Sequence, residues 1–207
     1  MLAALIALFP GFVRADDVNR PPWYYPEHAD NTYQMWEFSS SDLNPSPDGG
    51  KNIYAWLPAT IHPAPSLDTP WLATDANSNG IWDLTNGGYI TVPVIDDPTP
   101  RPEKRLWVQM TWLPSLTGGF PALTASTPVE GFSIGTSFAQ TDPLPLLATG
   151  WYHSTFEIDI WPSPGSETLK IGGNILLDEL VIDTYSTPEP ATAALLVLGL
   201  VTLRRRR

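Results

Sequence analysis

Four oxygen-bearing side chains follow one another with the spacing that calcium-binding loops use. They stand at the first, third, fifth and ninth positions of a short polar segment: Asp75, Asn77, Asn79 and Asp83. Gly80 occupies the sixth position, where such loops turn sharply. Asn86 replaces the bidentate glutamate of the twelfth position, so we expect weak calcium affinity. An Asn/Asp/Gly turn between two strands is the alternative.

Two further acids stand near opposite ends of the predicted domain. Glu37 lies on the first predicted strand and Asp178 on the last. Many jelly-roll glycan-binding modules bridge those two strands with a structural calcium ion, and this chain is similar in placing acids there. Acids on a solvent-facing strand surface are the alternative.

One segment matches the G-x-S-x-G pattern of serine hydrolases. Ser133 is its central residue, and Asp142 and His153 follow in the chain order of a catalytic triad. That motif needs a strand, a sharp turn and a helix, whereas the residues after Gly135 have weak helix propensity. We therefore favour a glycine-flanked strand with an outward serine.

Glu157 and Asp159 lie two residues apart on a predicted strand and share one face, about 7 Å apart. Paired carboxylates at such separations can hydrolyse glycosides. A solvated outer face is the more common meaning of this alternation. We predict no enzymatic activity and no catalytic residue.

The aromatic side chains suggest sugar binding as an alternative function. The chain has 9 tryptophans, and flat aromatic faces stack on pyranose rings. Trp82 and Trp161 are the candidates, with core packing as the alternative role. His28, His62 and His153 show no ligand spacing.

Composition excludes several classes of function. The absence of cysteine excludes disulfides, thiolate catalysis and zinc–thiolate sites. The formal net charge is −11 even with four arginines at the C-terminus, so the rest of the chain is more acidic still. Such a surface repels phosphate backbones and makes nucleic acid an unsuitable partner.

The elements that must position these residues are β-strands. No helical period of useful length occurs between residues 16 and 187. In Phe156–Ile160 the apolar residues alternate strictly with acids, which places Phe156, Ile158 and Ile160 on the core face. The other predicted strands are 32–38, 52–57, 81–84, 89–95, 105–113, 131–138, 168–172 and 176–184. This pattern predicts an antiparallel β-sandwich or jelly roll of about nine strands.

The C-terminal segment has three consecutive parts. Pro188, Glu189 and Pro190 precede an uncharged run, 191–203, and Arg204–Arg207 follow it. This order closely resembles the PEP-CTERM sorting signal. The resemblance implies an exosortase-type enzyme as partner, in a Gram-negative bacterium that secretes polysaccharide. As a helix the run spans only about 20 Å of a bilayer core of about 30 Å, so we expect a short hydrophobic transmembrane helix that is processed.

The N-terminus agrees with export. Leu2–Phe9 is apolar, and a small residue, Ala15, precedes Asp16, so we expect signal peptidase to cleave between them. The predicted organisation is a signal peptide at 1–15, a β-sandwich ectodomain at 16–187 and a sorting signal at 188–207.

Three ectodomain segments look like recurring phrases of uncharacterised PEP-CTERM proteins: Tyr33–Phe38, Lys104–Trp112 and Leu177–Thr184. The likeness suggests a family of surface β-sandwiches and implies no activity. We expect an exported protein of the cell envelope, outer surface or extracellular matrix, with a structural or adhesive role. A glycan-binding module of the polysaccharide matrix is the alternative, and a hydrolase ranks third.

Overall fold

The computed structural model describes residues 19–23, 31–72, 80–99, 101–128, 130–143 and 150–187, with the backbone alone for 137–140 and 143. Most of this part of the chain is β-structure, so the all-β prediction is confirmed. The predicted signal peptide, 1–15, and sorting signal, 188–207, lie outside the described residues. Within the described ranges, no helix is both long and apolar enough to cross a membrane.

The strands are, in chain order, β1 (Asn31–Trp36), β2 (Gly49–Lys51), β3 (Thr60–His62), β4 (Trp71–Leu72), β5 (Ile81–Asp83), β6 (Tyr89–Ile95), β7 (Lys104–Pro114), β8 (Ala122–Ser126), β9 (Ser133–Pro143), β10 (Tyr152–Trp161), β11 (Ser166–Gly172) and β12 (Ile175–Ser186). One turn of 3-10 helix, Thr85–Gly87, stands between β5 and β6.

The strands form two antiparallel sheets that share one core. The large sheet has the order β2-β1-β12-β7-β10-β9, and β5 also pairs with β12 and with β4. The small sheet has the order β3-β6-β11-β8. One cluster of buried side chains includes residues from both sheets, which gives the layered arrangement of a β-sandwich.

Alternation along the long strands determines which face is buried. Phe156, Ile158 and Ile160 of β10 are buried as predicted, while Glu157 and Asp159 are half-buried on the opposite face. Strand β7 alternates in the same way and buries four large side chains: Leu106, Val108, Met110 and Trp112. Burial of such side chains contributes about 1.5–3 kcal/mol each, which stabilises the sandwich without disulfides.

The predicted strand at 52–57 is wrong. Asn52 Oδ1 accepts hydrogen bonds from the backbone N–H groups of Tyr54, at 2.9 Å, and Ala55, at 3.4 Å. These bonds form a local turn that takes the backbone donors away from a sheet. Four short strands, β2, β3, β4 and β8, were in turn not predicted.

A short N-terminal segment lies across the outer face of the large sheet. The Asn19 N–H donates to Gln109 Oε1 at 2.9 Å, and Trp107 Nε1 donates to the Asn19 carbonyl at 2.6 Å. Trp23 stacks on Tyr185, with ring centroids 5.6 Å apart. These contacts cover the centre of the outer face, whereas Trp161 at the end of β10 is exposed.

Candidate functional site

A charged strip occupies this end of the outer face. We define the outer strip as Glu103, Arg105, Glu157, Asp159 and Trp161. Arg105 of β7 lies directly opposite Asp159 of β10, which brings its guanidinium against the carboxylates of the neighbouring strand. The outer strip therefore results from strand register and from the alternation of β7 and β10.

In the outer strip, the guanidinium of Arg105 lies within 4 Å of three carboxylates. Arg105 Nη2 lies 3.4 Å from Glu103 Oε1, Nη1 lies 3.9 Å from Glu157 Oε1, and Nε lies 3.6 Å from Asp159 Oδ1. The separations are long for ion pairs, and the negative charges outnumber the positive one. The carboxylates can therefore accept hydrogen bonds from a ligand rich in hydroxyl groups.

The pKa values of the two β10 acids reflect this surplus of carboxylates. Burial raises the pKa of Glu157, and the neighbouring Asp159 charge raises it further, against the lowering effect of Arg105. Burial also raises the pKa of Asp159, while Arg105 lowers it. Partial burial thus strengthens polar contacts at the outer strip without sealing it from solvent.

An exposed aromatic ring ends the outer strip. Trp161 is 41% exposed, as its predicted outward position requires. A Cβ atom added at Gly135 of β9 would lie 3.4 Å from the Trp161 ring, an ordinary van der Waals contact, so the ring lies beside the neighbouring strand. An indole on the same face of β10 as two carboxylates offers a sugar ring a stacking surface with hydrogen-bonding groups on the same strand.

Trp82, the other predicted sugar-stacking residue, is in the core. It is 1% exposed and belongs to the buried cluster, because β5 pairs with β12 against the body of the large sheet. Packing is therefore its role, which is the core-packing alternative, and Trp82 is not a sugar-stacking residue.

The three residues that match the order of a hydrolase triad are not brought together. Asp142 lies opposite His153 in the β9–β10 hairpin, but Ser133 lies opposite Trp161 at the other end of it. At about 3.3 Å per residue, this places Ser133 more than about 25 Å from His153.

His153 is instead a buried hydrogen-bonding residue on the outer face of the large sheet. It is 1% exposed, and its ring nitrogens contact Gln109 Oε1 at 3.2 Å and Thr111 Oγ1 at 3.3 Å. Burial lowers the pKa of His153 to about 4, although the Asp142 charge opposes this. At neutral pH its imidazole is therefore an uncharged hydrogen-bonding group.

The predicted calcium loop is only partly within the described residues. Asp75, Asn77 and Asn79 lie outside them, whereas Asp83 ends β5 and its Oδ1 accepts from the Thr85 N–H at 2.9 Å. Asp83 and Thr85 line an open pocket of about 310 Å³. Calcium binding by this loop stays a prediction.

The second calcium candidate is near a bulge in the last strand. β1 and β12 are paired, and Glu37 follows Trp36, which lies opposite Leu180. Asp178 stands at the register shift where β12 passes β7. Among the described residues, no group of three or more acids or histidines could hold a metal ion, so this site also stays a prediction.

A second charged cluster was not predicted from the sequence. We define the buried trio as Lys104, Asp96 and Glu167, whose side chains are all 0% or 1% exposed. Lys104 Nζ lies 2.7 Å from Glu167 Oε2 and 3.4 Å from Asp96 Oδ2. Burying an ion costs several kcal/mol unless its partners are well arranged. The presence of three buried ionisable groups in the core therefore has to be explained.

The sequence does carry a signal for the buried trio. Lys104 alternates in phase with the buried Leu106 and Val108 of β7. Glu167 alternates with Leu169 on β11, and Asp96 continues the buried positions of β6 that include Val94. Charged residues in phase with a core face thus indicate buried charges on two strands, β7 and β11, and directly after a third, β6.

Comparison of the chain with protein-family models, with curated proteins and with solved structures finds no match. The function must therefore be inferred from the sequence and from the geometry of these two clusters.

Proposed function

We propose that this chain is an exported protein of the cell surface or extracellular matrix with a structural or adhesive role, sorted through a PEP-CTERM-like signal. The observation that carries this proposal is the path of β12. This strand lies between β1 and β7 in the large sheet and ends at Ser186. The Thr187 N–H donates to the Glu103 carbonyl at 2.9 Å, and the sorting motif begins at the next residue.

The position of β12 suits a protein held at a surface through its C-terminal end. Any force applied beyond Thr187 reaches a strand with hydrogen-bonded neighbours on both sides. Its pairings with β1 and β7 extend along most of its length, so separation requires many backbone hydrogen bonds to break. Such an arrangement supports a load-resisting role.

Mass spectrometry of the surface fraction, from cells with an active sorting enzyme, tests this proposal. The mature protein should begin at Asp16 and should yield no peptide that ends at Arg207. A variant with Pro188→Ala and Pro190→Ala should keep its C-terminal tail and should be absent from the surface fraction. Thr192→Ala, which changes the tail outside the motif, should be processed like the parent. An intact tail on most parent molecules contradicts the proposal.

Glycan binding at the outer strip is the second candidate function. The exposed Trp161 ring, on the same face of β10 as Asp159, favours it, because the ring supplies a stacking surface and the charged groups of the outer strip supply hydrogen bonds. Polysaccharide that the producing cell secretes is the ligand class that agrees with the sorting signal.

A glycan array followed by calorimetry tests this binding. Trp161→Ala should weaken binding about fivefold, since an aromatic contact of this kind is worth about 1 kcal/mol. Trp56→Ala is the matched control, because Trp56 is 43% exposed and is not part of the outer strip. Equal loss in both variants, or no loss in either, rules out the outer strip as the binding surface.

A further inference from the structure

The buried trio joins the two sheets at one end of the core. Lys104 is the first residue of β7 in the large sheet, and Asp96 directly follows β6 in the small sheet. Glu167 is on β11, where it lies opposite Val94 of β6. An amine and two carboxyl groups are therefore held in contact by three strands and shielded from water.

Asp96 is surrounded by donors. Its Oδ2 accepts hydrogen bonds from Ser186 Oγ at 3.1 Å and from Thr184 Oγ1 at 3.3 Å. Its Oδ1 accepts the backbone N–H of Asp97 at 2.7 Å. Donors in these positions stabilise negative charge on the carboxyl oxygens and polarise the carbon between them.

Glu167 has a different environment. Its Oε2 contacts Lys104 Nζ, and its Oε1 is buried with no hydrogen-bond partner among the described residues. Burial raises the pKa of Glu167 to about 7, against the lowering effect of Lys104. Glu167 can therefore both give and accept a proton at neutral pH.

We propose that Lys104 and Asp96 form an intramolecular amide bond in the folded protein, with Glu167 as the proton-transfer group. The bond joins Nζ of Lys104 to Cγ of Asp96. It replaces a buried ammonium and a buried carboxylate with one neutral amide, which removes the cost of keeping both charges in the core. It also links the two sheets covalently in a chain that has no cysteine.

The reaction is a condensation that releases one water. Glu167 gives its proton to Asp96 Oδ2 and takes one from the Lys104 ammonium, which leaves a free electron pair on Nζ. Nζ attacks Cγ, the C–N bond forms, and negative charge develops on Oδ1 next to the Asp97 N–H. A second proton then passes from Nζ through Glu167 to Oδ2, the Cγ–Oδ2 bond breaks, and water leaves. Glu167 ends with the proton it began with, so atoms and charges balance.

The geometry supplies both the nucleophile and the choice of carbonyl. Groups held in contact react with effective concentrations of about 10⁵–10⁸ M, so no activating cofactor is required for proximity. Asp96 is the acceptor because it has donors on both oxygens, whereas Glu167 has Lys104 as its only described donor.

Peptide mass spectrometry of the purified full chain, after denaturation, tests the proposal. A glutamate-specific protease cuts after Glu37, Glu103 and Glu130, so it separates Asp96 from Lys104 along the backbone. We expect peptides 38–103 and 104–130 to remain joined, with a mass one water below their sum. Fragmentation should locate the bond between Asp96 and Lys104.

Variants define the roles of the residues. Lys104→Met should give the two peptides separately, whereas Lys170→Met, an exposed lysine of β11, should leave them joined. Glu167→Gln should slow joining about a hundredfold or more, as expected for loss of a proton-transfer group. The parent chain decides the existence of the bond, so the test holds even if a variant fails to fold.

Three results would overturn the proposal or its assignments. Separate parent peptides at full mass would show that no bond forms. Peptide 104–130 joined to 158–179 would place the bond at Glu167, because the protease does not cut after a glutamate whose side chain is in an amide. Joining in Glu167→Gln at the parent rate would remove Glu167 from the reaction.

Discussion

The buried trio and the outer strip contain the same kinds of charge in opposite surroundings. In the buried trio, Lys104 has 0% exposure and its closest carboxylate oxygen is 2.7 Å away. In the outer strip, the Arg105 side chain is 39% exposed and its carboxylate contacts are 3.4–3.9 Å long. Both cations belong to β7 and are neighbours in sequence, so alternation alone sends one into the core and the other to the surface.

The comparison shows how burial decides what a charge cluster can do. Water and ions screen the outer strip, so its contacts are individually weak and are available to a ligand. The buried trio is sealed, so each charge depends on its partners, and its contacts are available for chemistry within the chain. We thus propose ligand recognition on one face of β7 and amide-bond formation on the opposite face.

Removal of each cation is the strongest way to test this contrast. Lys104→Ala should lower the free energy of unfolding by about 3–5 kcal/mol or more, because it prevents the proposed amide bond and leaves two buried carboxyl groups without a partner. Arg105→Ala should cost about 1 kcal/mol or less, because its ion pairs are partly exposed. Urea denaturation followed by tryptophan fluorescence measures both. Similar losses in the two variants would show that burial does not separate the clusters.

The pH dependence of stability gives a second contrast, between Glu167 and His153. Burial raises the pKa of Glu167 from 4.5 to about 7, so its contribution to stability is complete below about pH 4.5 and is lost as pH rises through 7. Burial lowers the pKa of His153 from 6.5 to about 4, so its contribution is complete above pH 6.5 and is lost as pH falls through 4. Between about pH 4.5 and 6.5, the contribution of Glu167 to stability therefore falls as pH rises, while the contribution of His153 increases.

Single variants separate the two slopes. Glu167→Gln should remove the loss of stability toward neutral pH, and His153→Gln should remove the loss toward acid pH, each by roughly a few kcal/mol over its full range. Because burial is the first cause of the Glu167 shift, the direction holds with or without the amide bond. Denaturation curves at several pH values from 4 to 8 measure the profiles. Two variants with the parent's profile would contradict both assignments.

Part of this arrangement follows from the sequence. Alternation in β10 correctly predicted the core positions Ile158 and Ile160 and the outward Trp161. The three-residue strand β5 is too short for alternation to place Trp82, whose burial depends on pairing with the distant β12. Periodicity could have indicated that Lys104 points inward.

The partners of Lys104 could not be predicted from the sequence alone. Lys104 is on β7 of the large sheet and Glu167 is on β11 of the small sheet, so their contact depends on how the two sheets pack together. The strand predicted at 52–57 failed for a local reason, since the Asn52 side chain competes for backbone donors. Short-range periodicity thus predicts faces, whereas pairing across sheets and side-chain turns determine the sites.

Calcium binding is the smallest effect that we expect, and it adds a third acidic region to the comparison. If the Asp75–Asp83 loop binds calcium, the ion stabilises the folded state by RT ln(1 + [L]/Kd), about 1 kcal/mol when calcium is several times Kd. Asn86 replaces the acid of the twelfth position, so this requires millimolar calcium.

Melting curves of the parent in chelator and in millimolar calcium measure the shift in the unfolding midpoint. Asp75→Ala should abolish it, and Asp68→Ala, an exposed acid outside the loop, should preserve it. An unchanged parent midpoint removes the site, and a shift that survives Asp75→Ala moves it to another acidic region, with Glu37 and Asp178 next to be tested.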